Sequence, residues 1–161
     1  MERPIVDDII IEGAKLLFRN FSGAPTKFNS RGGERTFAVL IKDHEYAEAL
    51  NANGWNIKRF KERETDDPEL GPDYYLPVCV NFGAGRPPRI ELITKRKKTR
   101  LDEDTVASLD YADITNADLI IHPSFWEVNG KSGIKAYLKA GYITIQQDEF
   151  SDKYADLEES F

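Results

Sequence analysis

Apolar and polar positions alternate along much of the chain in short runs, and turn-forming residues separate the runs. Residues Asp8 to Phe18 contain Ile9, Ile10 and Ile11 and predict a first strand, with Gly13 as a bulge or bend. A loop rich in glycine, serine, asparagine and bases follows, NFSGAPTKFNSRGGER. Thr36 to Lys42 predicts a strand in which Phe37, Val39 and Ile41 alternate with Ala38, Leu40 and Lys42. Leu40 makes the second face partly apolar, so burial on both sides is expected. Asp43 is a good N-cap for a helix over HEYAEALNANG, with Gly54 as its stop. Trp55 to Lys61 predicts another strand, and Glu62 to Asp73 an exposed polar loop whose role the sequence leaves open.

The second half repeats the style. Tyr74 to Phe82 predicts a strand, and Pro77 within it argues for an edge position or a bulge. A GAGRPP turn leads to a strand over Arg89 to Thr94, then to the basic run KRKKTR. Asp102 predicts the cap of a short helix, DEDTVASLDYA, whose early acids suit a helix N-terminus. Ala117 to Val128 and Ile134 to Ile145 flank Asn129-Gly130, a strong hairpin signal. Many short strands with two short helices predict a mainly β fold. A partly open β-barrel of the OB type is the expected form, with strand order left undetermined.

Length and composition bound the rest. The 161 residues fit one domain. No run approaches the roughly 18–20 apolar residues of a membrane span. The start, MERPIVDDII, lacks the pattern of a signal peptide. Cys79 is the only cysteine, which excludes an internal disulfide and suits a cytoplasmic protein. The net charge of -6 hides an uneven distribution. Residues 15–100 carry 17 bases against 11 acids, net +6, and residues 148–161 carry six acids against one base, net -5. The expected organisation is therefore a nucleic-acid-binding domain over 1–147 and a flexible acidic tail over 148–161.

Catalysis finds little support. His44 and His122 lie far apart and outside ligand spacing, and both read as structural or solvated. Neither a phosphate-binding loop nor a nucleophile elbow is present. Asp102, Glu103 and Asp104 read better as a helix start than as a metal site. The chain is not expected to be an enzyme or to require a metal or cofactor.

A different combination recurs. Binding single strands without sequence preference needs cations along the phosphates and flat rings on which bases stack. The first loop offers Arg19, Phe21, Lys27, Phe28, Arg31 and Arg35, and the next segment Trp55, Lys58, Phe60 and Lys61. Lys95, Lys97, Lys98 and Arg100 add charge at a strand end, and the closing hairpin adds Trp126, Lys131 and Lys135. Phe18 ends an apolar run and reads as core. Phe21 and Phe28, among polar loop residues, read as platforms, while Trp55 and Trp126 are balanced between core and platform.

Four stretches carry a family resemblance: EGAKLLFRNFSG, RPPRIELITKRKKTRLDEDT, DLIIHPSFWEVNGKSGIKAYLKAGYITI, and the acidic DLEESF ending on Phe161. Together they resemble the single-stranded DNA-binding proteins of tailed bacteriophages, OB-fold factors of replication and recombination. The resemblance implies single-stranded DNA as ligand and the host cytoplasm as location. It further implies that Asp156, Glu158, Glu159 and Phe161 recruit replication or recombination proteins and compete with DNA. It leaves open whether the chain forms a homo-oligomer. A structural virion or tail protein and a metal-dependent nuclease are the alternatives.

Overall fold

The computed structural model describes residues 7–25, 34–60, 72–83, 87–95 and 97–146. The predicted first strand is two strands, β1 (Ile9–Ile11) and β2 (Leu16–Asn20). Gly13 lies between them at φ +63, a conformation that costs glycine no Cβ clash. The remaining strands are β3 (Arg35–Ile41), β4 (Lys58–Arg59), β5 (Tyr74–Val80), β6 (Arg89–Ile93), β7 (Lys98–Leu101), β8 (Ile114–Val128) and β9 (Lys131–Ile145). One helix, α1 (His44–Ala52), starts where expected: the Asp43 carboxylate accepts from the Tyr46 N–H at 3.2 Å. The second predicted helix is a 3₁₀ turn over Val106–Asp110. The predicted strand from Trp55 shrinks to the two residues of β4 and a lone bridge from Trp55 to Ile134.

All nine strands belong to one sheet, with the path β1-β8-β9-β5-β3-β2. Consecutive strands β1 and β2 stand at opposite ends of that path, yet four residues join them. Such a link spans less than about 20 Å, so the sheet must curl. The link itself shows the curl: the Ala14 N–H donates to the Ala117 carbonyl of β8 at 2.7 Å, and the Lys15 carbonyl accepts from Leu40 of β3 at 3.1 Å. The result is the partly open, OB-like form, since β1 and β2 share no ladder.

Strand β9 organises the other half. It pairs with β8 along its length, with β5 at Ala136–Tyr137, and with β6 from Ala140 to Thr144. The hairpin turn is as the sequence predicts, with Asn129 at φ +52 and Gly130 at φ +77, the left-handed pair such a turn requires. Pro77 lies in an interior strand, not at an edge. It falls in the two residues between the pairing of β5 with β4 and its pairing with β9, where no ladder donor is required on that side.

Phe37, Val39, Leu76, Val78, Leu119, Ile121, Ile134 and Ile143 fill the interior from the inward face of the sheet. Phe21 and Trp55 join them. Phe21 is wholly buried and stacks on Phe37 with centroids 5.1 Å apart. The open edge at β2 is held by the segment around the 3₁₀ turn. Arg19 donates to the Leu109 and Ala112 carbonyls at 2.9 and 2.7 Å, and the Asp110 carboxylate accepts from the N–H groups of Phe21 and Ser22 at 2.6 and 3.2 Å. Asp110→Ala orphans both donors. It is expected to lower stability by about 1–2 kcal/mol, read as a drop in urea midpoint with an unchanged slope.

Candidate nucleic-acid interface

Strand alternation sorts the side chains of β5 by face. Leu76, Val78 and Val80 are buried, so Tyr75, Pro77 and Cys79 point outward. The outward row continues across the sheet by register: Thr36 beside Cys79, Cys79 beside Tyr137, and Tyr137 beside His122. Lys58 lies beside Tyr75, and Lys135 places its ammonium 5.6 Å from the Tyr137 ring. The outer face thus combines rings with exposed cations.

Its densest feature is a cluster of three rings. Phe18 meets Tyr75 edge-on at 5.4 Å and Phe60 at 6.1 Å, and Phe60 lies 4.7 Å from Tyr75. Phe18 is 64% exposed and has φ +50. It stands in the register shift between Leu17 and Asn20, and such bulges re-aim a side chain. A left-handed backbone is unfavourable for a bulky residue. Here it turns outward a ring that the apolar run alone would bury. A second aromatic group stands at the end of the β8–β9 hairpin, where Phe125 and Trp126 are exposed. The Trp126 indole covers Gly133 so closely that a Cβ there would meet Cζ2 at 2.8 Å.

The sequence-derived residues divide accordingly. Phe60, Lys58, Trp126, Lys131 and Lys135 are placed on or beside the outer face or the exposed hairpin. Phe21 and Trp55 are corrected to core, because a buried ring offers no face to a base. Arg19 is corrected to a structural role, since its guanidinium holds the β2 edge. Arg35 is likewise engaged: it donates to the Phe21 carbonyl, lies 3.9 Å from Glu103, and stands over the Phe82 ring. Lys95, Lys97, Lys98 and Arg100 lie on the β6–β7 hairpin, which joins the sheet through β9, whereas the ring cluster is built on β2, β4 and β5. Lys98 there is already paired with the buried Glu91 at 3.0 Å and, foremost among its neighbours, holds that carboxyl below its usual range. Lys27, Phe28, Arg31, Lys61 and the tail residues Asp156, Glu158, Glu159 and Phe161 lie outside the described residues.

Two rings of the cluster were not among the candidates, Phe18 and Tyr75. For Tyr75 the signal was available, because Leu76, Val78 and Val80 set the inward phase of β5. For Phe18 none was, since its exposure depends on one left-handed residue.

The acidic group at Asp102 acts as a turn. Its Oδ1 accepts from the Asp104 N–H at 2.9 Å, and from the Thr105 N–H and hydroxyl at 3.0 Å each. The Thr105 hydroxyl and these amides hold its carboxyl below the ordinary range. Among the described residues, no three histidine, cysteine or acidic side chains gather as a metal-ligand set. His44 bonds Asp73 at 3.1 Å and packs edge-on against Tyr74. No described helix is long and apolar enough to cross a membrane.

In the solved structures, the chain is similar to the single-stranded DNA-binding protein from bacteriophage Enc34 in complex with ssDNA. That match has a TM-score of 0.54 and 12% identity, and covers 89% of each chain. A C-terminally truncated form of the same Enc34 protein matches with a TM-score of 0.53 and 14% identity, covering 88% of this chain and 87% of that one. At such identities the likeness establishes the fold. No curated protein sequence matches the chain. A family model described as "Putative phage ssDNA-binding domain" matches residues 1–160, nearly the whole length. The chain belongs to this phage single-stranded DNA-binding domain family.

Proposed function

We propose that this protein coats single-stranded DNA in phage DNA replication and recombination, without catalysis, by laying the strand across the outer face of the curled sheet. The carrying observation is the outward cluster of Phe18, Phe60 and Tyr75 beside Lys58, with Phe18 exposed, on the face that also bears Tyr137 and Lys135. Stacking on such rings tolerates every base, and the lysines track the phosphates. Membership in the phage family supports this ligand, as does the complex of the Enc34 protein with ssDNA. The host cytoplasm follows as the place of action.

The domain over 1–147 would hold DNA, and the acidic segment 148–161, ending on Phe161, would recruit partner proteins and compete with the strand. Its net charge of -5, opposite to the +6 of residues 15–100, supports that competition.

A titration with oligothymidylate, matched RNA and duplex DNA tests both parts. Affinity for the single DNA strand is expected to exceed that for duplex. It should fall linearly on a log-log plot against salt, by about 0.7 per phosphate neutralised. The chain ending at Gln147 is expected to bind more tightly than the full chain. A salt-independent affinity or a preference for duplex would count against the sheet-face reading. Equal affinity with and without the tail would count against the competition alone. Cleavage of labelled strands in magnesium or manganese would overturn the non-catalytic reading.

A further inference from the structure

One anion already occupies the outer face. Ile9 pairs with Ile121, which sets Asp8 next to His122 at the β1 edge. The Asp8 carboxylate accepts from His122 Nδ1 at 2.6 Å through one oxygen and from Lys139 Nζ at 2.7 Å through the other. His122 in turn neighbours Tyr137, so Asp8, His122 and Lys139 extend the row formed by Thr36, Cys79 and Tyr137. The register of β8 and β9 skips Lys139, which makes it the extra residue of a bulge. That bulge lets Lys139 reach the same carboxylate as His122. Both donors are more than half exposed.

We propose that His122 and Lys139 form a binding position for a DNA phosphodiester, and that the Asp8 carboxylate fills it as an internal substitute until the strand displaces it. The inference rests on the reading of the outer face as the DNA track. Its chemistry is that of exchange. A phosphodiester, like a carboxylate, offers two anionic acceptor oxygens, and the site presents two donors on one side of a single row. Lys139 foremost, then His122, hold the Asp8 carboxyl below its ordinary range, so it is ionised and competes at neutral pH. Exposed ion pairs of this kind add little to stability, so a polyanion anchored elsewhere on the face can displace one. Asp8 therefore sets a threshold: short or weakly held strands leave it in place, and strands engaged along the rings release it.

Asp8→Asn removes the competing charge at nearly constant shape. It is expected to tighten oligothymidylate binding about 3–10-fold at moderate salt and to steepen the salt slope by about 0.7 for each added phosphate. Glu12→Gln removes the same charge at an exposed position that contacts neither donor, and should give less than about half that gain in log affinity. Lys139→Gln added to Asp8→Asn should abolish both the gain and the steeper slope. A gain that survives in the double variant, or that Glu12→Gln reproduces in full, overturns the proposal. A second readout uses the unaltered chain, which has only two histidines. The His122 ring resonances should shift on saturation with oligothymidylate while those of His44 stay. An unmoved His122 ring overturns the proposal whatever the variants do. If neither the unaltered chain nor Asp8→Asn binds DNA, the outer-face reading fails as a whole. If both bind alike, only the substitution by Asp8 fails.

Discussion

Phe18→Gly is expected to weaken single-stranded DNA binding about 5–100-fold, the loss of roughly one stacked base, while leaving the fold about as stable as before. The two halves of this expectation have separate causes. The Phe18 ring is 64% exposed and, among the described residues, makes its ring contacts with Phe60 and Tyr75 of the same cluster. Removing it therefore opens no cavity in the core. Its φ of +50 costs an L side chain about 1–2 kcal/mol, which glycine does not incur. Glycine loses more chain entropy on folding, by roughly 0.5–1 kcal/mol, so the two terms nearly cancel. A urea melt and a fluorescence-anisotropy titration on one preparation separate stability from binding. Phe18→Trp should retain most of the affinity, because a larger ring still stacks. An unchanged dissociation constant for Phe18→Gly would remove the ring from the interface.

Much of the fold was legible because local signals agree with the global arrangement. Asn129-Gly130 between two alternating runs specifies the hairpin, and Asp43 and Gly54 bracket α1. Long-range closure was not legible. Nothing local to residues 12–15 says that the link will bond β8 on one side and β3 on the other. The same gap explains the site. A base in a glycine-rich loop looks like a phosphate contact until the fold supplies carbonyls for it, as it does for Arg19. A phenylalanine among polar residues looks exposed until a partner such as Phe37 covers it, as happens to Phe21. Phe18 errs the other way, because one left-handed residue reverses the side that alternation assigns. Charge and aromatic content identified the class of ligand, while which residues touch it was decided by contacts distant in sequence.

The two tryptophans put this distinction to its largest test, since in sequence each stands equally between core and platform. Trp55→Ala is expected to cost about 3–5 kcal/mol of stability, the range for emptying a fully packed aromatic site. Trp55 is 2% exposed and follows Gly54, whose carbonyl takes the Ile134 N–H at 2.9 Å. Its loss therefore loosens the contact of the α1 segment with β9 as well as the core. Against a typical total of roughly 5–15 kcal/mol, much of the domain's stability would go, and DNA binding would weaken only in proportion to the unfolded fraction. Trp126→Ala should do the reverse. Trp126 is 44% exposed and lies over Gly133 near the end of the hairpin, so the melting temperature should move by a few degrees at most. Single-strand affinity should fall about 5–100-fold if a base stacks there. Thermal melts by circular dichroism, with titrations at a temperature where both variants are folded, distinguish the cases. A Trp55→Ala protein that melts like the unaltered chain but binds DNA poorly would return Trp55 to the surface. A Trp126→Ala protein with full affinity would confine the DNA track to the ring cluster and the row through Tyr137.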